Sequence, residues 1–463
     1  MAGAGAGPDG QRRGAGPDGR RGGAGPGSPP GHAVAAPRAG RLLSVDLARL
    51  VALLGMFASH LVLPLRADAP GGVDGLFQVV AGRSSALFAL LAGVSLAIVT
   101  RDLHAAGRST ASGRTPSTSA RRGPSTSAGS SGGPTSAGGR SGPASHRRRL
   151  LVRAAAVGTI GLLLGLLDSG IAVILVYYAV LFCCALPVLT WRAPALAALA
   201  VGWGLLSPLV SMLIRPALPP TTYQIPSLVS LRDPVRLLSE LVVTGYYPVL
   251  TWATYLFAGL AVGRLLAPGG TALSDARVPA RRGALLTLLG LTLAALPLAA
   301  SRLITGSEQV RQVLVETSGS GSWETLAVDL RRGFYGVHPE GSPWWLGVWV
   351  PHSGSITDLA HTTGCALLVL GLCWWAVRLL PRLPWSLLAG AGAMTLTLYS
   401  LHVVVLGSPA GEPGRALARG SDSALALHVT LALAIGVVFA VLRRPGPVEQ
   451  GVRWLTTSLA PPK

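Results

Sequence analysis

Residues 41–100 read RLLSVDLARLVALLGMFASHLVLPLRADAPGGVDGLFQVVAGRSSALFALLAGVSLAIVT. Two apolar runs, each long enough to cross ~30 Å of hydrocarbon as a helix, flank a short Gly/Pro/Asp loop. The pair places Asp46, Arg49, His60 and Arg83 inside or beside lipid. A charge near a bilayer centre costs about 2.5–3.5 kcal/mol on insertion scales, so such groups face a bundle interior or a wet cavity. A functional reading therefore begins at these four residues.

Outward from this stretch the pattern repeats. Half of the 463 residues are hydrophobic and only 13% are charged, with mean hydropathy +0.50. That balance excludes an ordinary soluble domain. Apolar runs of roughly 18–22 residues recur along the chain and predict an all-α, polytopic integral membrane protein of about ten transmembrane helices. They fall at about 47–63, 76–100, 150–167, 171–189, 195–214, 247–266, 283–304, 361–380, 387–406 and 424–441. The net charge of +20 is carried mostly by Arg in the tails and in alternate loops. Positive-inside sorting accounts for this better than a nucleic-acid surface does, and it places both termini in the cytoplasm of a multi-pass cell-membrane protein. No nucleic-acid partner is expected; the bilayer is, and a homo-oligomer is compatible with the pattern.

The polar segments divide the chain. Residues 1–40 read as a disordered Gly/Pro/Arg-rich N-terminal tail without the apolar core of a cleavable signal. Residues 41–442 form the membrane domain. It is interrupted by a disordered cytoplasmic loop of Ser, Thr, Gly and Arg at 101–149 and by a Trp-rich extracytoplasmic loop at 305–358. Residues 443–463 form a cytoplasmic tail. Ala89, Gly93 and Ala97, four apart, predict a close helix–helix contact in the second span, and residues 228–243 predict an amphipathic interfacial helix. Cys183, Cys184, Cys365 and Cys373 lie in apolar segments without metal-type spacing and read as buried free thiols, so no metal is expected.

Several polar residues carry two readings each. His60 and His402, embedded in apolar sequence, suit a general base or nucleophile because imidazole titrates near neutrality. The alternative is an interfacial histidine bonded to a carbonyl. Asp358 and His361, three apart, make either an oriented acid–base pair or a helix cap beside an interfacial histidine. Arg83, followed by Ser84 and Ser85, either binds an anionic group such as a phosphate or carboxylate or pairs with Asp74 or another acid. Asp46 and Arg49 meet on one helical face, as substrate-binding charges or as a structural ion pair. The outer tryptophans read as sugar-stacking rings or as an interfacial belt. Outside the low-complexity 101–149 loop no G-x-S-x-G elbow is present, and the chain holds no Walker sequence or H-E-x-x-H motif, which removes soluble-type hydrolase, nucleotidase and metalloprotease readings.

The opening SVDLARLVALLGMFASH, then GRSSALFALLAGVS, resembles the bacterial membrane proteins related to heparan-alpha-glucosaminide N-acetyltransferase, including their YeiB-like relatives. IAVILVYYAVLF, the HSGS at 352–355, GAMTLTLYSLHVVVL and GPVEQGVRWLT look like later blocks of the same group. The resemblance implies a multi-span acyltransferase that takes acetyl from acetyl-CoA, as co-substrate, and delivers it to an amino sugar or other cell-envelope saccharide. It also implies a central histidine near the outer mouth of the first two helices. The characterised branch carries an H-x-x-W-x-G element between those helices, whereas residues 66–77 here hold neither His nor Trp. His60, with His402 or His361, then stands as base or nucleophile, and Arg83 as the anion holder. A transporter of a small solute or lipid-linked group would use buried Asp46, Arg49 and Arg83 equally well. Geometry separates the two readings: an enzyme gathers histidines near Arg83, while a carrier lines a path from face to face.

Overall fold

The computed structural model describes residues 41–61, 79–101, 143–268, 273–407 and 422–461, and every regular element among them is helical. In chain order these are α1 (Leu43–Leu61), α2 (Arg83–Val99), α3 (Pro143–Leu164), α4 (Leu175–Ala185), α5 (Ala193–Ile214), α6 (Pro234–Ser239), α7 (Val249–Leu266), α8 (Ala280–Ile304), α9 (Glu308–Ser318), α10 (Trp323–Arg332), α11 (Ile356–Leu379), α12 (Trp385–Gly392), α13 (Thr395–Gly407), α14 (Asp422–Val441) and α15 (Pro447–Leu459). The expected N-terminal tail and most of the 101–149 loop lie outside the described residues.

Six helices are long and apolar enough to span a bilayer: α1, α5, α7, α8, α11 and α14. A seventh is added when α12 and α13, bent by 57°, count as one span. Each of the ten expected spans coincides with a helix, but α2 and α4 are shorter than a full crossing. Local chemistry explains the shortfall. Gly82 sits at φ +71°, where a residue without Cβ is at ease, and α2 starts only after it. Pro187 turns the end of α4 into a tight 3₁₀ turn. The α3 helix opens with His146 and Arg147 to Arg149, which lowers its apolarity. The outward faces of α5, α8 and α14 carry exposed Leu205, Leu213, Leu288, Leu296, Leu427 and Val438, a surface suited to lipid.

Small residues set the closest contacts. A Cβ on Gly259 of α7 would run into the Leu90 carbonyl of α2, and one on Gly93 would run into the Leu256 carbonyl. Ala97 meets Gly263 one turn further on, so Gly93 and Ala97 of the expected stripe lie in the α2–α7 interface. Gly290 of α8 and Gly364 of α11 bring those two backbones together in the same way.

Three expectations change. Residues 305–358 are not a plain loop: α9, α10 and the turn Pro343–Gly347 close over their own core of Val310, Leu314, Leu326, Trp345, Val348 and Val350. The 228–243 segment is broken, because Asp233 caps and Pro234 restarts a six-residue helix that ends in one π turn, Glu240–Thr244. All four thiols are free, but Cys183 is exposed on the surface of α4 rather than buried.

Two carboxylates cap helices from a distance. Asp275, in the α7–α8 connection, accepts the Leu43 N–H at 2.7 Å and the Ser44 hydroxyl at the start of α1. Burial pushes the Asp275 carboxyl up, while the bonds from Ser44 and Leu43 pull it down. Glu449, at the start of α15, accepts the N–H groups of Leu396 and Thr397 at 2.8 and 3.2 Å, at the start of α13. Each satisfies orphan donors and places negative charge at a helix N-terminus.

Candidate functional site

Three helices carry one histidine each to a common point. His60, late in α1, places Nδ1 3.1 Å from Nε2 of His402 on α13, with the two rings stacked 13° from parallel. His402 is 2% exposed, whereas His60 is half-buried. His428 of α14 stands edge-on to His402, at 5.1 Å between ring centroids and 86° between planes. Phe57, one turn before His60, packs on both His402 and His428. His428 was not singled out from sequence. The available signal was an ionisable residue inside ALALHVTLALA, within a spanning helix.

Arg83 builds a second cluster at the first position of α2. Its Nε and Nη2 lie 3.1 and 2.9 Å from His361 Nε2. His361 Nδ1 is 2.6 Å from the Ala294 carbonyl oxygen. A carbonyl only accepts, so Nδ1 carries the proton and Nε2 receives Arg83. The guanidinium also lies 5.1 Å over the Trp349 ring, and Trp349 meets His361 edge-on. Cys365 Sγ sits 3.5 Å from the same His361 nitrogen. Asp358, one turn before His361, accepts the Gly354 N–H at 3.1 Å, and Ser355 caps α11 beneath it. Among the described residues no hydrogen bond joins Asp358 to His361, and Asp358 Oδ1 has no partner. The residue bonded to His361 is Arg83, with Asp358 within electrostatic reach of the guanidinium. Asp74, the other acid considered for Arg83, lies outside the described residues.

The turn at Pro351–Ser355 joins the clusters. His352 at φ +59° and Gly82 at φ +71° stand back to back, with His352 N 3.3 Å from where a Gly82 Cβ would sit. The His352 ring packs on Tyr247 and Trp252 and is near enough to interact electrostatically with His60. Burial holds His352 down at about 4, which keeps it neutral at pH 7. Above it, Tyr223, Tyr246 and Tyr335 pack ring against ring. Arg215 anchors the Tyr335 loop by donating to the His338 carbonyl at 2.6 Å. Burial, reinforced by the Arg215 charge, lowers His338 to about 4, against a bond to the Pro339 carbonyl that acts the other way.

The remaining expected residues sit elsewhere or serve the backbone. Ser84 and Ser85 give their hydroxyls to the Val80 and Gly82 carbonyls. Asp46 is bidentate to two arginines, Arg49 at 2.8 Å and Arg41 at 2.7 Å, and Arg49 also reaches the Ser95 hydroxyl. This group lies at the other end of α1, roughly 16–21 Å from His60 at 1.5 Å per residue. Of the four outer tryptophans only Trp349 touches the candidate site, and Trp345 is fully buried in the small outer core. Among the described residues, no group of His, Cys, Asp or Glu has metal-holding geometry.

Compared with known families, residues 41–296 match the one described as heparan-alpha-glucosaminide N-acetyltransferase, catalytic. No curated protein matches the chain. The matched region contains Asp46, Arg49, His60, Arg83, Ser84 and Ser85, while Asp358, His361, His402 and His428 lie beyond it.

Proposed function

The chain belongs to the heparan-alpha-glucosaminide N-acetyltransferase catalytic family, and from that premise we propose that it transfers acetyl from acetyl-CoA to an amino sugar or other saccharide of the cell envelope. The observation that carries this reading is the His60–His402 pair: a hydrogen-bonded imidazole couple within electrostatic reach of His352, whose turn packs against Gly82, the residue before Arg83. No hydrogen bond engages His60 Nε2 among the described residues, so this nitrogen is available to take a proton from the attacking amine or hydroxyl. As the acceptor attacks the thioester carbonyl, its proton passes to His60, and CoA leaves as the thiolate. Arg83, held flat by Trp349 and His361, supplies positive charge near the developing oxyanion.

The donor enters from the opposite end in this reading. Arg49 and the neighbouring Arg153 offer cationic groups for the CoA phosphates. Its pantetheine arm then runs up α1 toward His60. This arrangement goes with ten spans, both termini cytoplasmic and a bacterial cell membrane. Two sets of contacts support that topology. The Tyr223 and Tyr335 segments, both expected outside, touch each other. Asp275 and Glu449, both expected inside, cap α1 and α13 at the other end.

The test is acetyl transfer by purified, detergent-solubilised protein, using labelled acetyl-CoA and a panel of amino-sugar and polysaccharide acceptors. His60→Ala and His402→Ala are run in parallel. Label transferred by the wild type and lost in a variant supports the reading and names its histidine. Folded protein that neither binds acetyl-CoA nor transfers label overturns it in favour of a transporter.

A further inference from the structure

We infer that His428 sets the protonation pattern of the histidine cluster, so that a chain of three imidazoles leaves His60 Nε2 unprotonated and ready to act as the base. The inference concerns the same site as the proposed acyl transfer and rests on that reading only for its catalytic consequence. Its starting point is a fixed end. His428 Nδ1 lies 2.9 Å from the Ala424 carbonyl oxygen, one turn earlier in α14. A carbonyl cannot donate, so Nδ1 carries the hydrogen and the neutral ring keeps a bare lone pair on Nε2.

That lone pair is buried. Among the described residues neither His428 Nε2 nor His402 Nδ1 has a hydrogen-bond partner, and both rings are shut in against Phe57. The two orphaned nitrogens belong to adjacent rings whose centroids are 5.1 Å apart and whose planes are nearly perpendicular, so pairing them requires the rings to turn toward each other. Two tautomers of His402 are then to be compared. With hydrogen on Nε2, His402 would donate to His60 and leave two bare, buried lone pairs facing each other, each unsatisfied. With hydrogen on Nδ1, His402 donates to His428 Nε2 and its own Nε2 accepts from His60 Nδ1, 3.1 Å away. The second pattern satisfies every buried nitrogen and avoids the penalty of unmade bonds.

The order of hydrogens is therefore imposed from one end. In that pattern, once the His402 and His428 rings turn toward each other, Ala424 O accepts from His428 Nδ1, His428 Nε2 from His402 Nδ1, and His402 Nε2 from His60 Nδ1. His60 is left with hydrogen on Nδ1 and a lone pair on Nε2. A proton taken from the acceptor at Nε2 makes His60 an imidazolium whose Nδ1–H is already bonded to His402, which steadies the charge. His428 is thus a positioning residue: it touches neither donor nor acceptor and acts through His402.

The experiment is ¹⁵N NMR of the full-length protein, labelled at histidine and held in lipid nanodiscs at neutral pH, with resonances assigned by single His→Ala variants. The expected wild-type spectrum shows His428 and His60 both protonated at Nδ1 and bare at Nε2. In His428→Leu, the acceptor for His402 is gone; His402 should move its hydrogen to Nε2 and drive His60 into the Nε2–H form. In His428→Gln, the side-chain amide oxygen still accepts, and His60 should keep the wild-type form. A wild-type His60 protonated at Nε2, or a His60 unchanged in His428→Leu, overturns the inference. The wild-type spectrum decides even where the leucine variant fails to fold. With labelled acetyl-CoA, His428→Leu should lose about 10²-fold or more in kcat at unchanged KM for the donor, and His428→Gln should recover most of it. Absence of transfer by the wild type would count against the acyltransferase reading alone, because the tautomers are read without turnover.

Discussion

Acidification should loosen the outer end of the molecule through His338, and the size of the effect follows from its surroundings. His338 is 3% exposed and carries Arg215 on its carbonyl and beside its ring, so a proton there would put two cations together out of water. Its value falls from 6.5 to about 4 on folding. Between those values the unfolded chain binds more protons than the folded one, so stability rises with pH through the window. The contribution is therefore fully present above pH 6.5 and is lost as pH falls toward 4. At about 1.4 kcal/mol per unit, the whole loss is about 3 kcal/mol, of which about 2 is felt by pH 5. Thermal unfolding of the detergent-solubilised protein at pH 7.5 and pH 5.0, for wild type and His338→Gln, checks this. Glutamine cannot be protonated and leaves the backbone carbonyl that accepts from Arg215 in place, so the variant should lose much less between the two pH values. His352, also lowered to about 4, leaves a residual slope in both proteins. Equal losses in wild type and variant would refute the assignment to His338.

Three further outcomes follow from the packing. Arg83→Met should destabilise the fold by about 2–4 kcal/mol in thermal or denaturant unfolding, because it strands His361 Nε2 and removes the contact with Trp349. Gly259→Leu should fail to form the α2–α7 contact, since its side chain meets the Leu90 carbonyl; expression and monodispersity in detergent should fall sharply, whereas Gly202→Leu on open surface should be tolerated. Glu449→Ala should lower unfolding stability by about 1.5–3 kcal/mol, the range for bonds to a charged group, by uncapping α13.

Much of the membrane architecture was legible because hydrocarbon thickness forces long apolar runs, and each expected span has a helix. What the runs do not encode is where a helix stops inside them. The Gly392–Ala393–Met394 break between α12 and α13 is as apolar as its flanks, so nothing in composition marks it. Site residues divide along the same line. Asp46 and Arg49 paired as their three-residue spacing requires, a contact made within one helix. His60 and His402 were visible as ionisable groups in apolar sequence, but their mutual bond joins residues 342 positions apart and depends on how α1 and α13 lie together. Arg83 was expected to meet an acid or an anion; Asp74 lies outside the described residues, and among the described ones Arg83 bonds the His361 imidazole. The way that ring presents itself is fixed by Ala294, a residue without chemistry of its own, which supplies the carbonyl that orients His361. His428 escaped notice because the rings it packs against, Phe57 and His402, come from other helices.

The distant caps have a consequence for biosynthesis. The helix that carries His60 has its first turn closed by Asp275, and the helix that carries His402 has its first turn closed by Glu449. A ribosome releases α1 long before Asp275 and releases α13 before Glu449, so each helix enters the bilayer with an open end and is finished by a later segment. The imidazole couple accordingly depends on the last amphipathic helix of the described chain. A nascent or prematurely terminated product holds both histidines but lacks the fastening that sets the second. The placement of the pair is thereby tied to synthesis having passed Glu449.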